Sequence, residues 1–178
     1  MLVSFIRYIE SQNRRGLSYS LGVNHLADRK DTELVALRGF HRSPGYNGAD
    51  AFDDSLTTKR VPDSLDWRLY GMCVQCSPGF VLVTCTYTFV FKGAVTPVKD
   101  QAVCGSCWSF GTTGTVEGAH FLKTGELIRL SQQALMDCSW GEGNNACDGG
   151  EDFRAYQWIM KHGLPSEREY GPYLAQVI

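Results

Sequence analysis

With 178 residues, the chain holds one domain, or one domain behind an accessory segment. Its 43% hydrophobic and 12% aromatic content is enough to fill a core, which excludes wholesale disorder. A net charge of -2, carried in short mixed runs such as Asp28-Arg29-Lys30-Asp31, leaves no basic footprint for nucleic acid.

In chain order, Met1 to Ile6 form the only apolar run before Arg7. A signal peptide needs about 7–15 apolar residues, so none is expected here. Ile6, Ile9 and Asn13 predict a helix that Arg14-Arg15-Gly16 ends, and Leu17 to Val23 alternates like a short strand. Asp31 is positioned as the N-cap of a second helix that begins at Glu33 and Leu34. Ser43 to Asp63 combines glycines, aspartates and two prolines with little apolar periodicity, and predicts an extended linker. Within it, Lys59-Arg60 is open to proteases.

Tyr70 to Lys92 is out of character with the rest. Its most apolar part, Gly79 to Phe91, is far short of the roughly 20 residues of a membrane-spanning helix, so no membrane partner is expected. Beyond Gly93, Ser109, Phe110, Thr113, Val116, Glu117 and Phe121 fall at helical spacing, and Gly125 supplies the stop. Ser131 is the N-cap of a second short helix running through Leu135 and Met136. Phe153, Tyr156, Trp158, Ile159 and Met160 predict a third, ended by His162-Gly163.

The seven cysteines are an odd set, which points to a free or reactive thiol in a disulfide-permissive setting. In a reducing compartment Cys73-Val-Gln-Cys76 would instead read as a metal or redox pair, but a zinc site needs four ligands, and no metal or cofactor is expected.

Gln101-Ala-Val-Cys104-Gly-Ser-Cys107-Trp-Ser-Phe110 carries the chemistry. A cysteine in the first turn of a helix sits where backbone N–H groups and the helix dipole favour an anion, and the thiolate is the nucleophile of acyl transfer. Gly105 and Ser106 keep the approach small enough for a carbonyl carbon to reach the sulfur. Gln101 can aim its amide at the oxyanion that would develop beside the Cys107 N–H. The competing reading is a structural Cys104–Cys107 pair. A redox pair normally follows a strand in a βαβ unit, whereas Pro97-Val-Lys-Asp precedes this one. The residues favour the nucleophile and leave the structural pair open.

Gly105-Ser106-Cys107-Trp108 resembles the active-site signature of the papain and cathepsin family of cysteine peptidases. Pro62-Asp-Ser-Leu-Asp66-Trp67-Arg68 is similar to the start of the mature enzymes, and Leu130 to Ser139 to their second helix. Cys147-Asp148-Gly149-Gly150 resembles the segment that pairs with the substrate backbone. Gly22-Val-Asn24-His-Leu-Ala-Asp28, with Ile9 and Asn13 before it, resembles the inhibitory propeptide. Within that family the chain resembles the two-chain digestive or lysosomal cysteine proteinases of arthropods.

This resemblance implies Cys107 as nucleophile, Gln101 as oxyanion donor, a Cys104–Cys147 disulfide, and a Cys138 whose usual partner would lie just past Ile178. It implies substrate binding by Gly149, Gly150, Glu151 and Asp152. The last two stand where relatives line their main specificity pocket with apolar residues. Two carboxylates there would favour a Lys or Arg at the second residue before the cleaved bond, unless both point into solvent. The family's histidine base and its orienting asparagine belong to a β-rich second domain further along. His120 is thirteen residues from Cys107 on one predicted helix, about 20 Å at 1.5 Å per residue. Neither it nor His25, His41 or His162 matches the family position.

The implied fold is α+β and papain-like: residues 1–60 as part of an inhibitory propeptide and linker, residues 61–178 as the helical left domain, and the β-barrel right domain absent. The implied activity is hydrolysis of peptide bonds through a thioester, in lysosomes or secretions. Peptide or protein substrates are the expected partners, with the chain's own propeptide as inhibitor. A noncatalytic fragment that binds or inhibits related peptidases is the alternative. Removing residues 72–93 restores the relatives' run Tyr70-Gly71-Ala94-Val95-Thr96-Pro97. That insertion and the Val177-Ile178 end can both be encoded with intron boundary signals and read as retained introns; the competing reading of the insertion is a surface β-hairpin from Phe80 to Phe91.

Overall fold

The computed structural model describes residues 2–40, 43, 63–69 and 93–178. Most of the predicted linker, His41 and nearly all of the 72–93 insertion lie outside the described residues.

The first helix, α1, spans Leu2–Asn13 and buries Ile9. Gly16, at φ 64°, takes the left-handed turn that follows it. Asn13 then reaches forward. Its Nδ2 donates to the Leu21 carbonyl at 2.8 Å, and its Oδ1 accepts from the Leu21 N–H at 2.7 Å. The short strand expected over Leu17 to Val23 does not form. A strand needs a partner for its backbone groups, and here the Asn13 side chain satisfies those of Leu21.

Helix α2, Asp31–Leu34, continues as a 3-10 turn over Val35–Leu37. Its N-cap is Lys30 rather than Asp31, one residue earlier than the sequence pattern implied. The Glu33 carboxylate accepts from the Lys30 N–H at 2.7 Å, and Asp31 sits in the first turn, where the helix dipole favours a negative charge.

Helix α3, Cys107–Thr124, is the centrepiece, and Gly125 at φ 75° closes it as the sequence predicted. Its inner face is unusually polar: Ser109, Thr112, Thr113 and Glu117 are fully buried beside Trp108 and Phe121. Each hydroxyl donates to a carbonyl of the preceding turn, so none is left unpaired. Glu117 accepts from Thr96 Oγ1 at 2.7 Å, Lys99 Nζ at 2.7 Å and the Leu130 N–H at 2.8 Å. One buried carboxylate thus pins the segment leading to Gln101 and the segment leading to the next helix.

Ser131 caps helix α4, Gln132–Cys138, by accepting from the Ala134 N–H. Helix α5 spans Asp152–His162, with Gly163 at φ 75° after it, and α6 spans Glu167–Tyr170 with Ser166 and Glu169 forming a reciprocal capping box. Cys104, Trp108, Leu135, Met136, Ala146 and Ala155 form the core, against which Trp158, Ile159, Leu164 and Tyr173 pack. Among the described residues there is no strand, only isolated bridges between Phe40 and Gly150 (parallel) and between Leu130 and Ser166 (antiparallel). The described residues therefore supply the helical part of the expected α+β class. No helix among them is long and apolar enough to cross a membrane.

Candidate active site

Cys107 is the first residue of α3, half-buried, with a free thiol. The first N–H groups of a helix have no intrahelical acceptor, and together with the dipole they stabilise negative charge on a thiolate at this end. Just before it, Ser106 is fully buried, and its Oγ lies 2.6 Å from the Tyr173 hydroxyl. That hydroxyl also donates to the Gln101 carbonyl at 2.9 Å, so Tyr173 joins the Gln101 backbone to the start of α3. Burial pushes its phenol up from the ordinary value, so it stays protonated as a donor. Sequence reasoning missed Tyr173, because nothing local marks a residue that acts 67 positions away.

Three links fix the loop opposite. Cys104 and Cys147 form a disulfide, with Cα atoms 4.7 Å apart. The Gly105 N–H donates to the Cys147 carbonyl at 3.0 Å, and the Trp108 indole N–H donates to the Ala146 carbonyl at 3.1 Å. Gly149 has φ 111°, a left-handed value that suits glycine. Gly150 is glycine for a different reason: a Cβ there would lie 2.8 Å from the Trp108 ring and 2.6 Å from Asn144 Oδ1.

Between these walls lies the chain's own backbone. Gln101 Nε2 donates to the Leu37 carbonyl at 2.9 Å and to the Cys104 carbonyl at 2.7 Å. Gly39 packs so closely on Gly105 that a Cβ on it would lie 1.5 Å from the Gly105 carbonyl oxygen. Two residues beyond Leu37, the Gly39 carbonyl accepts from the Gly150 N–H at 2.8 Å. Peptide carbonyls of residues 37 and 39 therefore occupy the Gln101 amide and the Gly150 N–H.

Of the four predicted substrate-binding residues, Gly150 and Glu151 meet this segment. Gly149 instead gives its carbonyl to the Asn145 N–H at 2.8 Å. Asp152 is exposed at the start of α5, its carboxylate accepting from the Phe153 N–H. Glu151 is buried, and its carboxylate accepts from the Ser43 N–H and hydroxyl and from Arg154 Nε at 3.0 Å. Burial pushes the Glu151 carboxyl up, but the Ser43 hydrogen bonds and the Arg154 guanidinium outweigh it and hold the group below the usual carboxylate range. Its charge is thus already matched within the chain, which argues against the basic-residue preference expected from two unpaired carboxylates. Arg154 was also missed, although its i,i+3 spacing from Glu151 could have revealed it.

The described histidines stand elsewhere. His25 pairs with Asp100 at 3.3 Å, and both are exposed. His120 lies thirteen residues along α3 from Cys107, about 20 Å away. His162 packs against Trp158 at the end of α5, with ring centroids 5.1 Å apart. Among the described residues, no group of three or more His, Cys, Asp or Glu side chains could hold a metal ion.

Comparison with known proteins places these features. The profile of the papain family cysteine proteases matches residues 88–177. Cysteine proteinase 2 of Dictyostelium discoideum is 40% identical over 177 residues, covering 95% of this chain and 40% of the relative. Digestive cysteine proteinase 1 of Homarus americanus is 38% identical over 180 residues, covering 96% of this chain and 47% of the relative. Among solved structures, digestive procathepsin L 3 from the larval midgut of Tenebrio molitor superposes with a TM-score of 0.69 at 32% identity, covering 99% of this chain and 50% of that one. The chain spans less than half the length of the curated relatives it matches.

Proposed function

The chain belongs to the papain family of cysteine proteases, and from that premise we propose that it is the nucleophile-bearing part of a peptidase acting through a thioester on Cys107. The observation that carries this reading is the Leu37 carbonyl on the Gln101 amide, beside the start of α3. A substrate carbonyl held there would meet the sulfur on one side and two N–H donors, Gln101 Nε2 and the Cys107 backbone, on the other. The thiolate adds to the carbonyl carbon, the oxyanion forms against those donors, and the C–N bond breaks as the amine takes a proton. Water then cleaves the thioester and restores the thiol.

That sequence needs a base for the thiol and an acid for the amine. His25, His120 and His162 do not serve, for the reasons of position given above. The base in this reading is the family's histidine, held with its asparagine by polypeptide other than these 178 residues, and the chain by itself is catalytically incomplete. Residues 1–60 act as an inhibitory propeptide, with Leu37 to Gly39 lying where substrate would lie, and residues 61–178 form the left domain. The Cys104–Cys147 disulfide fits a lysosomal or secreted setting.

The experiment is single-turnover acylation. Incubating the Gly39→Ala chain, whose covering segment cannot seat against Gly105, with an activated peptidyl ester and mapping the thioester by mass spectrometry should find Cys107 acylated faster than the exposed Cys138. Gln101→Ala should slow that acylation by about 100-fold, the low end for loss of one oxyanion donor. Equal rates at Cys107 and Cys138, or a Gln101→Ala variant that acylates normally, would refute the assignment.

A further inference from the structure

One cluster at the edge of the site takes no part in that chemistry. Glu151 is 5% exposed, and besides Arg154 its carboxylate meets Ser43, 108 positions earlier. The Ser43 N–H donates to Glu151 Oε1 at 2.5 Å, and the Ser43 hydroxyl donates to Oε2. Arg154 Nη2 donates to that same hydroxyl at 2.7 Å while its Nε holds Glu151 Oε2, and Nη1 is anchored on the Gly143 carbonyl at 2.8 Å. Acceptor and donor are therefore arranged around one hydroxyl with its adjacent N–H, and each of the three bonds to Ser43 involves a charged partner.

The other described residues of the segment, 37–40, make no comparable side-chain hydrogen bond to the site. Leu37 and Gly39 engage through backbone carbonyls, Gly39 through a close backbone approach to Gly105 as well, and the Phe40 side chain is 60% exposed. Among the described residues of the segment, the polar side-chain contact falls at Ser43.

We propose that Glu151 and Arg154 form a binding site for a hydroxyl-bearing peptide residue, occupied by the chain's own Ser43, and that this latch keeps residues 37–39 over Cys107. The proposal rests on the reading of that segment as self-blocking. The pair also explains why a carboxylate can stand buried beside the substrate-binding glycines: the guanidinium and the hydroxyl replace the water it lost.

The test measures access to the thiol in the full chain, and so needs no turnover. Iodoacetamide labelling of Cys107, quenched in time and read by peptide mass spectrometry with Cys138 as internal reference, gives the opening rate. Ser43→Ala, which leaves the Glu151–Arg154 pair intact, should raise Cys107 labelling about tenfold, the effect of losing charge-assisted hydrogen bonds at one anchor. Glu151→Gln should act in the same direction, and Ser43→Thr, which keeps the hydroxyl, should label near the parental rate. Gly39→Ala is the control that lifts the segment directly, because its Cβ cannot fit against Gly105. If Gly39→Ala accelerates labelling while Ser43→Ala and Glu151→Gln do not, the latch is wrong and the self-blocking segment stands. If Gly39→Ala has no effect either, the blocking reading falls and takes the latch with it.

Discussion

Replacing Lys99 with methionine tests the polar heart of the fold. The Lys99 ammonium is 2.7 Å from Glu117, with side-chain exposures of 13% and 1%. Thr96 and the Leu130 N–H also donate to that carboxylate, so it loses one of three partners but all of its countercharge. Breaking a buried pair by removing one member costs about 3–5 kcal/mol, because the remaining charge stays out of water. The Arg129–Glu167 pair supplies the control: its side chains are 50% and 31% exposed, and an exposed pair contributes about 0–1 kcal/mol. Urea unfolding of Lys99→Met should therefore show a loss several times that of Arg129→Ala. Adding Glu117→Gln should recover much of it, since the amide keeps an acceptor for Leu130 and can donate to the Thr96 hydroxyl. The Thr96–Lys99 segment runs directly into Gln101, so the single variant should also slow Cys107 acylation. A Lys99→Met variant no less stable than Arg129→Ala would refute the reasoning, since it would mean that the buried Glu117 carboxylate does not depend on the Lys99 charge.

Three further outcomes follow from the same structure. Closing the 43-residue separation between Cys104 and Cys147 should contribute about 4 kcal/mol in the chain-entropy model, and non-reducing peptide maps should recover that pair; Cys104 joined to Cys73 or Cys76 would contradict it. The chain alone should have essentially no turnover on a fluorogenic peptide, because general acid–base catalysis alone is worth about 10²–10⁴-fold; Cys107-dependent hydrolysis near a full-length relative's rate would reveal a base among the present residues. The Glu151 carboxyl is held below its ordinary value of 4.5, so its contribution is complete above that pH and is lost as pH falls through the lower folded value. The stability gap between the parent and Glu151→Gln, followed by urea unfolding, should therefore persist at pH 5 and close only in stronger acid; a gap already closed at pH 5 would contradict the pairing.

What could be read from the sequence divides along a physical line. Helix ends are settled by neighbours in the chain. Ser131 meets the N–H three residues on, and Gly125 and Gly163 adopt the turns that a side chain would strain. Those elements were legible, and so was Cys107 at the head of α3, because a glycine-flanked cysteine before a helical pattern is itself a local arrangement. The disulfide was legible only through family resemblance, since spacing alone does not choose among seven cysteines. The strand expected from Leu17 to Val23 shows the opposite weakness: alternation reports which face could be buried, not whether a partner exists, and the Asn13 amide took the backbone of Leu21 first.

The contacts that shape the site join residues far apart in sequence, and their donors look ordinary in isolation. Tyr173 is a tyrosine in a run of loop, yet it ties Gln101 to Ser106, the proposed oxyanion donor to the residue before the proposed nucleophile. Phe110 packs edge-on against its ring at 4.9 Å, so a helix one turn beyond Cys107 holds the phenol that holds Gln101. Glu151 misled in the same way. A carboxylate directly after Gly149 and Gly150 suggests a free charge waiting for a cation. Three residues later on the same helix, however, the sequence already supplied one, and the hydrogen bonds left over are directed at Ser43. In the latch proposed above, what this edge of the site recognises is set by the pair. A matched Glu–Arg pair offers an acceptor and a donor side by side, which suits a hydroxyl, and has little surplus charge to offer a lysine.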